Sequence, residues 1–507
     1  MTDLWINKPK RSWSESVRAF ASAKVLTMFF LGFSAGMPLY LVFSTLSVWL
    51  REAGIERATI GFFSWVALAY GFKFLWSPLI DKLPVPVLAK LMGHRRAWLL
   101  VAQLSIMVAL VLMALTNPVL GLPAMALGAV YLAFSSATQD IVIDAYRIES
   151  ADDDLQGLMS AAYIAGYRLG MLVTGAGALE IAANLDMAAG YDYAAWRGTY
   201  LIMAAVMTVG VITTFVIDEP SHKNPLSNRM NSTWDYVRFL CLFLLAVLAF
   251  GVTFSQWIDV SPSVMSVLGH GLAQFVNGVL KLSVSLVMAL CVGMILVRLG
   301  LVNKAVASDA YVAPFVDFFK RYGRLAVAIL ALIATFRIAD IVMGVMANVF
   351  YVDLGFEKQE IGRISKGFGL VATIAGGFIG GLITVRYGVL KTLFLGGALA
   401  AGTNVLFAMM STMGPLIWVL MVVISADNLA GGIASAAFVA YLSSLTSRNF
   451  TATQYALFSS IMMLIPKLIA GYSGVAVDAL GYAPFFLSTA VMGLVPLILI
   501  VVIAKNQ

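Results

Sequence analysis

The sequence predicts an all-α polytopic membrane protein of about fourteen spans. Three observations carry that prediction. The 507-residue chain is 61% hydrophobic and 12% charged, with a mean hydropathy of +0.91, whereas a soluble globular protein carries about 25% charged residues. Its apolar stretches repeatedly reach the roughly 20 residues that cross a bilayer. Six of its 33 Lys and Arg residues fall inside such stretches: Lys73, Arg168, Lys281, Arg337, Lys366 and Lys467, accompanied by Asp140, Asp144 and Asp340. A charge at the bilayer centre costs roughly 2.5–3.5 kcal/mol even on a lenient insertion scale. Such residues are expected to face a partner or a watery cavity. Charges of both signs inside a many-helix bundle point to transport of a polar, charged cargo.

The elements follow in order. Residues 1–24 are basic and amphipathic and lack the apolar core and small-residue cleavage site of a signal peptide. They read as a cytoplasmic lead-in lying on the membrane surface. Six spans are expected at 25–50, 59–80, 97–116, 123–146, 155–182 and 197–217, forming a first half over 25–217. Two inserted spans, 235–258 and 271–297, are the least regular. A linker at 301–324 ends in VAPFVDFFKRYGR (312–324), whose apolar and basic residues alternate as in a surface-lying amphipathic helix. Six further spans, 325–351, 360–383, 391–410, 415–443, 453–477 and 484–504, form a second half over 325–504.

Loop charges set the orientation. With the N-terminus inside, Lys8, Lys10, Arg11, Lys82, Arg95, Arg96, Arg147, Lys223, Lys320, Arg321, Arg386 and Lys505 fall inward. Outward loops hold only Arg51, Arg57, Arg197, Lys358 and Arg363. This asymmetry puts both termini in the cytoplasm. It also accounts for the net charge of +7 without invoking nucleic acid.

The two halves repeat one another. The second span of each opens with Ile-Gly (Ile60-Gly61; Ile361-Gly362) and ends in a short basic loop. In the fifth, Leu158-Met159-Ser160-Ala161 leads to Arg168 as Leu457-Phe458-Ser459-Ser460 leads to Lys467, and Gly175 matches Gly474. Two six-helix halves plus two inserted helices is the organisation of a major facilitator fold, whose halves rock about a central site.

The charged residues divide by role. Asp140 and Asp144, four apart, share one helix face. Two carboxylates that close cannot both ionise cheaply in a dry site, which suits a proton carrier. The alternative for Asp144 is a brace to the basic loop at Arg95 and Arg96, with Asp81 as a further gate residue. Lys73 lies about 12 Å into the membrane and Asp140 about 10 Å, so the two can pair and couple protonation to gating. Arg168 lies about 20 Å from the inner end, near the midplane. Together with Lys467 it offers one cation from each half to a carboxylate-bearing cargo. Tyr163 and Tyr167, one turn apart, offer rings to sugar faces, with Gln139 as a polar contact. Arg337 and Asp340 can contact cargo or pair along one face. Lys366 suits cargo contact or an outer gate, and Asn428 a hydrogen bond across the cavity. Lys281, in the inserted pair, can snorkel toward lipid headgroups.

Enzyme chemistry finds little support. The three histidines lie in or beside loops, and no HExxH, GxSxG or Walker pattern occurs. Cys241 and Cys291 sit alone inside spans, so no metal site is expected. A lipid scramblase, a receptor and an outward carrier of acetyl-CoA or an amphipathic drug remain as competing readings.

Six stretches carry a resemblance: FFSWVALAYGFKFLWSPLID (62–81), GHRRAWLL (93–100), SSATQDIVIDAY (135–146), GYRLGMLVTG (166–175), DNLAGGIASAAFVAYL (427–442) and ATQYALFS (452–459). Together they resemble the AmpG family of muropeptide permeases in the major facilitator superfamily. The resemblance implies a bacterial inner-membrane importer of N-acetylglucosaminyl–1,6-anhydro-N-acetylmuramic acid, with or without stem peptide. It implies drive by the proton gradient, no cofactor, a lipid environment and a monomer. It implies a place in peptidoglycan recycling and, in some Gram-negative bacteria, in β-lactamase induction. It also places Asp140 and Asp144 in the family's QDxxxDA element. The chain departs from the superfamily at the glycine-rich loop after the second span, which Pro84 and Pro86 lengthen.

Overall fold

A computed structural model describes residues 15, 18–19, 21–56, 59–60, 63, 66, 68–150, 155–186, 191–220, 233–257, 270–470 and 472–506. Gly61 of the first Ile-Gly pair and most of the lead-in lie outside them. Among the described residues the regular elements are helices, and no strand occurs. Ten helices among the described residues are long and apolar enough to cross a membrane. The four other expected spans are also helical over their described residues, but most are interrupted.

The described chain forms two compact units. The larger holds residues up to 77, 84–222 and 319 onward; the smaller holds 78–83 and 223–318. In the larger unit the first half runs α1 (Ala23–Val42), α2 (Ser44–Glu52), α3 (Leu68–Phe72) and a 3-10 turn (Lys73–Leu75). After α4 (Ser77–Lys82), which from residue 78 on belongs to the smaller unit, come α5 (His94–Ala114), α6 (Leu122–Ser150) and α7 (Gln156–Leu172). A π-helical turn (Val173–Gly177), α8 (Ala178–Leu185), α9 (Tyr193–Val206) and α10 (Thr208–Val216) complete it.

The smaller unit holds α11 (Thr233–Ser255), α12 (His270–Arg298) and α13 (Lys304–Tyr311). Along α11, Leu244, Leu245, Val247, Leu248 and Val252 are exposed, as suits a lipid-facing helix. Within this unit Lys281 places its ammonium 4.1 Å from the Phe254 ring centre, a cation–π contact. Trp257 donates to Asn277 at 3.0 Å. Asp81, expected as a gate residue, belongs to this unit and is buried.

The expected amphipathic linker segment is helical as α14 (Ala313–Tyr322), with Phe318 buried. Its Arg321 donates to the Leu445 carbonyl (3.0 Å) and to Gln454 Oε1 (2.9 Å). The second half follows as α15 (Leu325–Thr335), α16 (Ile338–Asp353), α17 (Lys358–Arg363), a π-helical turn (Ile364–Phe368), α18 (Gly369–Tyr387) and α19 (Val389–Met410). It ends with α20 (Ile417–Leu445), α21 (Thr451–Ala470), α22 (Ser473–Leu480), α23 (Tyr482–Met492) and α24 (Leu494–Asn506).

Small residues set the seams. With no hydrophobic drive between helices in lipid, close packing holds them together. Gly32 and Gly36 of α1 lie directly on the α7 backbone at Tyr163 and Tyr167, and Gly166 and Gly170 of α7 on α1 at Phe29 and Phe33. In the second half Gly376 and Gly380 of α18 meet Leu429 and Ile433 of α20 the same way. A Cβ at Gly166 would overlap the Phe29 carbonyl, and rigid backbone cannot move aside as a side chain can. Gly166→Ala is therefore expected to force α1 and α7 apart and to cost about 1–3 kcal/mol. A lowered melting temperature in detergent checks this; an unchanged one would show that the seam is not tight.

Candidate functional site

The two halves meet around the C-terminal end of α6, here named the Arg147 end. Arg147 is 0% exposed. It forms a 3.0 Å ion pair with Asp144 one turn back on α6. Its guanidinium lies 5.7 Å from the Tyr163 ring of α7 and 5.0 Å from the Tyr455 ring of α21. It donates to Ser443 of α20 at 3.3 Å. The desolvation of a buried cation is thus offset by a carboxylate, two ring faces and a hydroxyl. Beside it Arg95 forms two bonds to Glu149, of 2.7 and 3.0 Å, and donates to Thr451 of α21 at 2.8 Å. Thr451 in turn donates to Glu149. These bonds join the first half to the second. Backbones follow, with Gly157 of α7 against Thr384 and Gly381 of α18.

The expected pairings are redistributed. Lys73 pairs with Asp144 at 3.6 Å, not with Asp140. The 3-10 turn at Lys73–Leu75 breaks the helix there, and the ammonium meets α6 one turn nearer the Arg147 end. Asp140 stays in the field of both Lys73 and Asp144, and its Oδ1 accepts no hydrogen bond. Asp144 is not braced by the 95–96 loop, because Arg95 is taken by Glu149. Arg96 donates instead to the Thr214 and Phe215 carbonyls, both at 3.0 Å. Glu219 accepts from the backbone N–H groups of Arg95 and Arg96, where the helix dipole favours an anion.

Further along α7 the setting opens. Tyr163 and Tyr167 are half-buried with ring centres 5.9 Å apart, and Arg168 beyond them is exposed. Arg168 lies in the field of Arg337 from the second half. Arg337 stands at a break between α15 and α16. It makes no ion pair with Asp340, although the two share a field. Asp340 also acts on Asp427, which accepts from Thr403 at 3.0 Å. Lys467 is exposed, just after Pro466 of α21. The Lys366 backbone lies in the π turn Ile364–Phe368; its side chain lies outside the described residues.

Two expected cargo contacts are engaged elsewhere. Gln139 is fully buried and accepts from Ser34 of α1 at 3.1 Å. The Asn428 amide accepts from Thr373 and donates to the Ile424 carbonyl, both at 2.8 Å, tying α18 to α20. Sequence reasoning missed Glu149, Ser443, Thr451 and Tyr455, and placed Arg147 among loop charges. Its one available signal was spacing: Arg147 follows Asp144 by three residues and Asp140 by seven, on one helix face. Among the described residues no His, Cys, Asp and Glu cluster could hold a metal.

A membrane-spanning helical bundle fastened at one end by cross-half hydrogen bonds from buried arginines, with bare cations further along, has the build of a secondary transporter. The family model of the Major Facilitator Superfamily matches residues 28–336. The putative transporter AmpG 4 of Rickettsia felis is 31% identical over 492 residues, 96% of this chain and 98% of the relative. The anhydromuropeptide permease of Escherichia coli K12 is 30% identical over 490 residues, 96% of this chain and 81% of the relative. The chain belongs to the Major Facilitator Superfamily and, within it, to the AmpG family. In fold it is similar to the proton:xylose symporter XylE (TM-score 0.60, 11% identity, 96% of this chain and 95% of that one). It is also similar to the E. coli fucose:proton symporter FucP (TM-score 0.59, 11% identity, 97% and 99%).

Proposed function

We propose that the protein imports anhydro-muropeptides, with or without stem peptide, from periplasm to cytoplasm across a bacterial inner membrane, driven by proton entry. Both termini then face the cytoplasm, and the Arg147 end is the cytoplasmic end. The observation that carries this reading is the exposed Arg168 beside the Tyr163–Tyr167 ring pair. A guanidinium binds a carboxylate in fixed geometry, and rings suit the C–H faces of sugars. Kinship over 96% of this chain with a permease named for this cargo supports the same reading. Asp140 takes the role of proton carrier, one turn from Asp144, whose partner Arg147 reaches Ser443 and Tyr455 of the second half. Asp144 and Lys73 transmit its charge state to the gate. The halves alternate access about the site between them.

The test is uptake of labelled N-acetylglucosaminyl–1,6-anhydro-muramyl tripeptide into proteoliposomes, with and without an inward proton gradient. Gradient-stimulated accumulation is the expected result. Folded protein that takes up none would sink the cargo assignment, and uptake indifferent to the gradient would sink the coupling.

A further inference from the structure

Three second-half groups that grip the first half flank one short turn. α20 ends at Leu445 and α21 begins at Thr451. Before the turn, Ser443 accepts from Arg147. After it, Thr451 bonds Arg95 and Glu149, and the Tyr455 ring lies 5.0 Å from the Arg147 guanidinium. These groups meet their partners together only if the turn 446–450 holds both helix ends at the right spacing.

The turn is closed from the linker helix. Gln454 Oε1 accepts from the Ser447 N–H at 2.7 Å and from Arg321 at 2.9 Å. The same guanidinium donates to the Leu445 carbonyl at 3.0 Å. That carbonyl is one of the last four of α20, which lack a partner within the helix and favour a cation. One planar fork thus spans the end of α20 and the first turn of α21, a geometry that suits arginine better than lysine. α14 brings Arg321 there. Pro314 and Phe318 of that helix are buried, while Phe315, Val316 and Phe319 are exposed. The chain then turns at Gly323 (φ +51°) into the stretch Leu325–Asp353, long and apolar enough to cross a membrane. An amphipathic helix tethered in this way lies in the membrane surface, which limits the freedom of Arg321 to leave the turn.

We propose that Arg321 is a positioning residue for closure of the Arg147 end: it sets the turn 446–450 so that Ser443, Thr451 and Tyr455 meet the first half together. Its bonds to Leu445 and Gln454 need nothing from the first half and can persist whichever way the carrier faces. What they supply is order before contact. A turn already in its closed form gives up less entropy when Arg147 and Arg95 arrive, as with any preorganised binding surface. Without the fork, closure must also order the turn. Closure of this kind is independent of cargo identity and can be read without ligand.

The test uses the full-length protein in ligand-free nanodiscs, with Cys241→Ala, Cys291→Ala and one reporter, Ala161→Cys. Ala161 is 1% exposed on α7, and its methyl lies against Gly381 of α18 in the other half. Its rate of labelling by a charged methanethiosulfonate therefore follows the time this end spends open. Arg321→Met is expected to raise the rate roughly fivefold. Arg321→Lys, which keeps the charge without the fork, is expected to fall between Arg321→Met and the parent. Tyr200→Phe is the control. It removes a buried 2.9 Å bond to the Leu41 carbonyl within the first half, and is expected to lower the melting temperature with labelling unchanged. Arg321→Met labelled at the parent's rate overturns the proposal, even with a lowered melting temperature. Tyr200→Phe labelled as fast as Arg321→Met at a comparable loss of melting temperature also overturns it, since general loosening then explains both. Should Arg321→Met not fold, Arg321→Lys decides: faster labelling supports the staple, and the parent's rate overturns it.

Discussion

Asp140→Asn is expected to abolish accumulation of muropeptide against a gradient while leaving cargo affinity within about tenfold, or 1.4 kcal/mol. The argument is a charge count around the fastening. Arg95, Arg147 and Lys73 face Glu149, Asp144 and Asp140, so with Asp140 ionised the cluster is neutral. A proton on Asp140 leaves one positive charge in excess in a region largely closed to water. There Coulomb energies are several times their value in solvent. That excess bears on Lys73 and Arg147, which share Asp144. Arg147 also grips Ser443 and Tyr455 of the other half. Protonation at Asp140 therefore acts on the bonds that keep the Arg147 end shut. Asparagine fixes the neutral state, so exchange of cargo across the membrane persists while uphill movement stops. Counterflow and gradient-driven uptake, measured side by side, separate the two. Normal uphill accumulation by the variant would remove Asp140 from the coupling.

The spans were legible because the bilayer imposes a length on every apolar helix, and that length is written in one dimension. The interruptions were not. Nothing local in GFKFLW announces a 3-10 turn at Lys73–Leu75, and nothing in RLGMLVTG announces a π turn after Arg168. Such breaks answer to neighbours, as Gly175 against the Tyr40 ring shows. The site was legible in its residue types and not in its partners. Asp140, Asp144, Lys73 and Arg168 stood out because charge inside a span is costly. Arg147 did not, since an arginine at the end of a span reads as a loop anchor. Its burial depends on Tyr455 and Ser443, about three hundred residues away in the chain. Register decided the rest. A break of a few residues moved the Lys73 ammonium from the expected Asp140 to Asp144.

Arg147→Gln is expected to have the second large effect, and its direction follows from where the partners lie. Asp144 and Tyr163 belong to the same half as Arg147, so those contacts can persist whichever way the carrier faces. Ser443 and Tyr455 belong to the other half and are available only while the Arg147 end is closed. A charge-assisted hydrogen bond contributes about 1.5–3 kcal/mol, and a desolvated cation–π contact about 2 kcal/mol. Glutamine forfeits most of this in the closed state and little of it in the open one. The conformational equilibrium should move toward opening at the Arg147 end by at least tenfold. Thermal stability should fall as well, because Asp144 keeps only the 3.6 Å contact to Lys73. The two effects are separable. Cysteine accessibility at Ser444, half-buried beside Ser443, reports the gate, and the melting temperature reports the fold. Greater accessibility together with loss of net transport is the expected result. A lowered melting temperature with unchanged accessibility would make Arg147 a packing residue of the first half and leave the closure of this end to Arg95, Glu149 and Thr451.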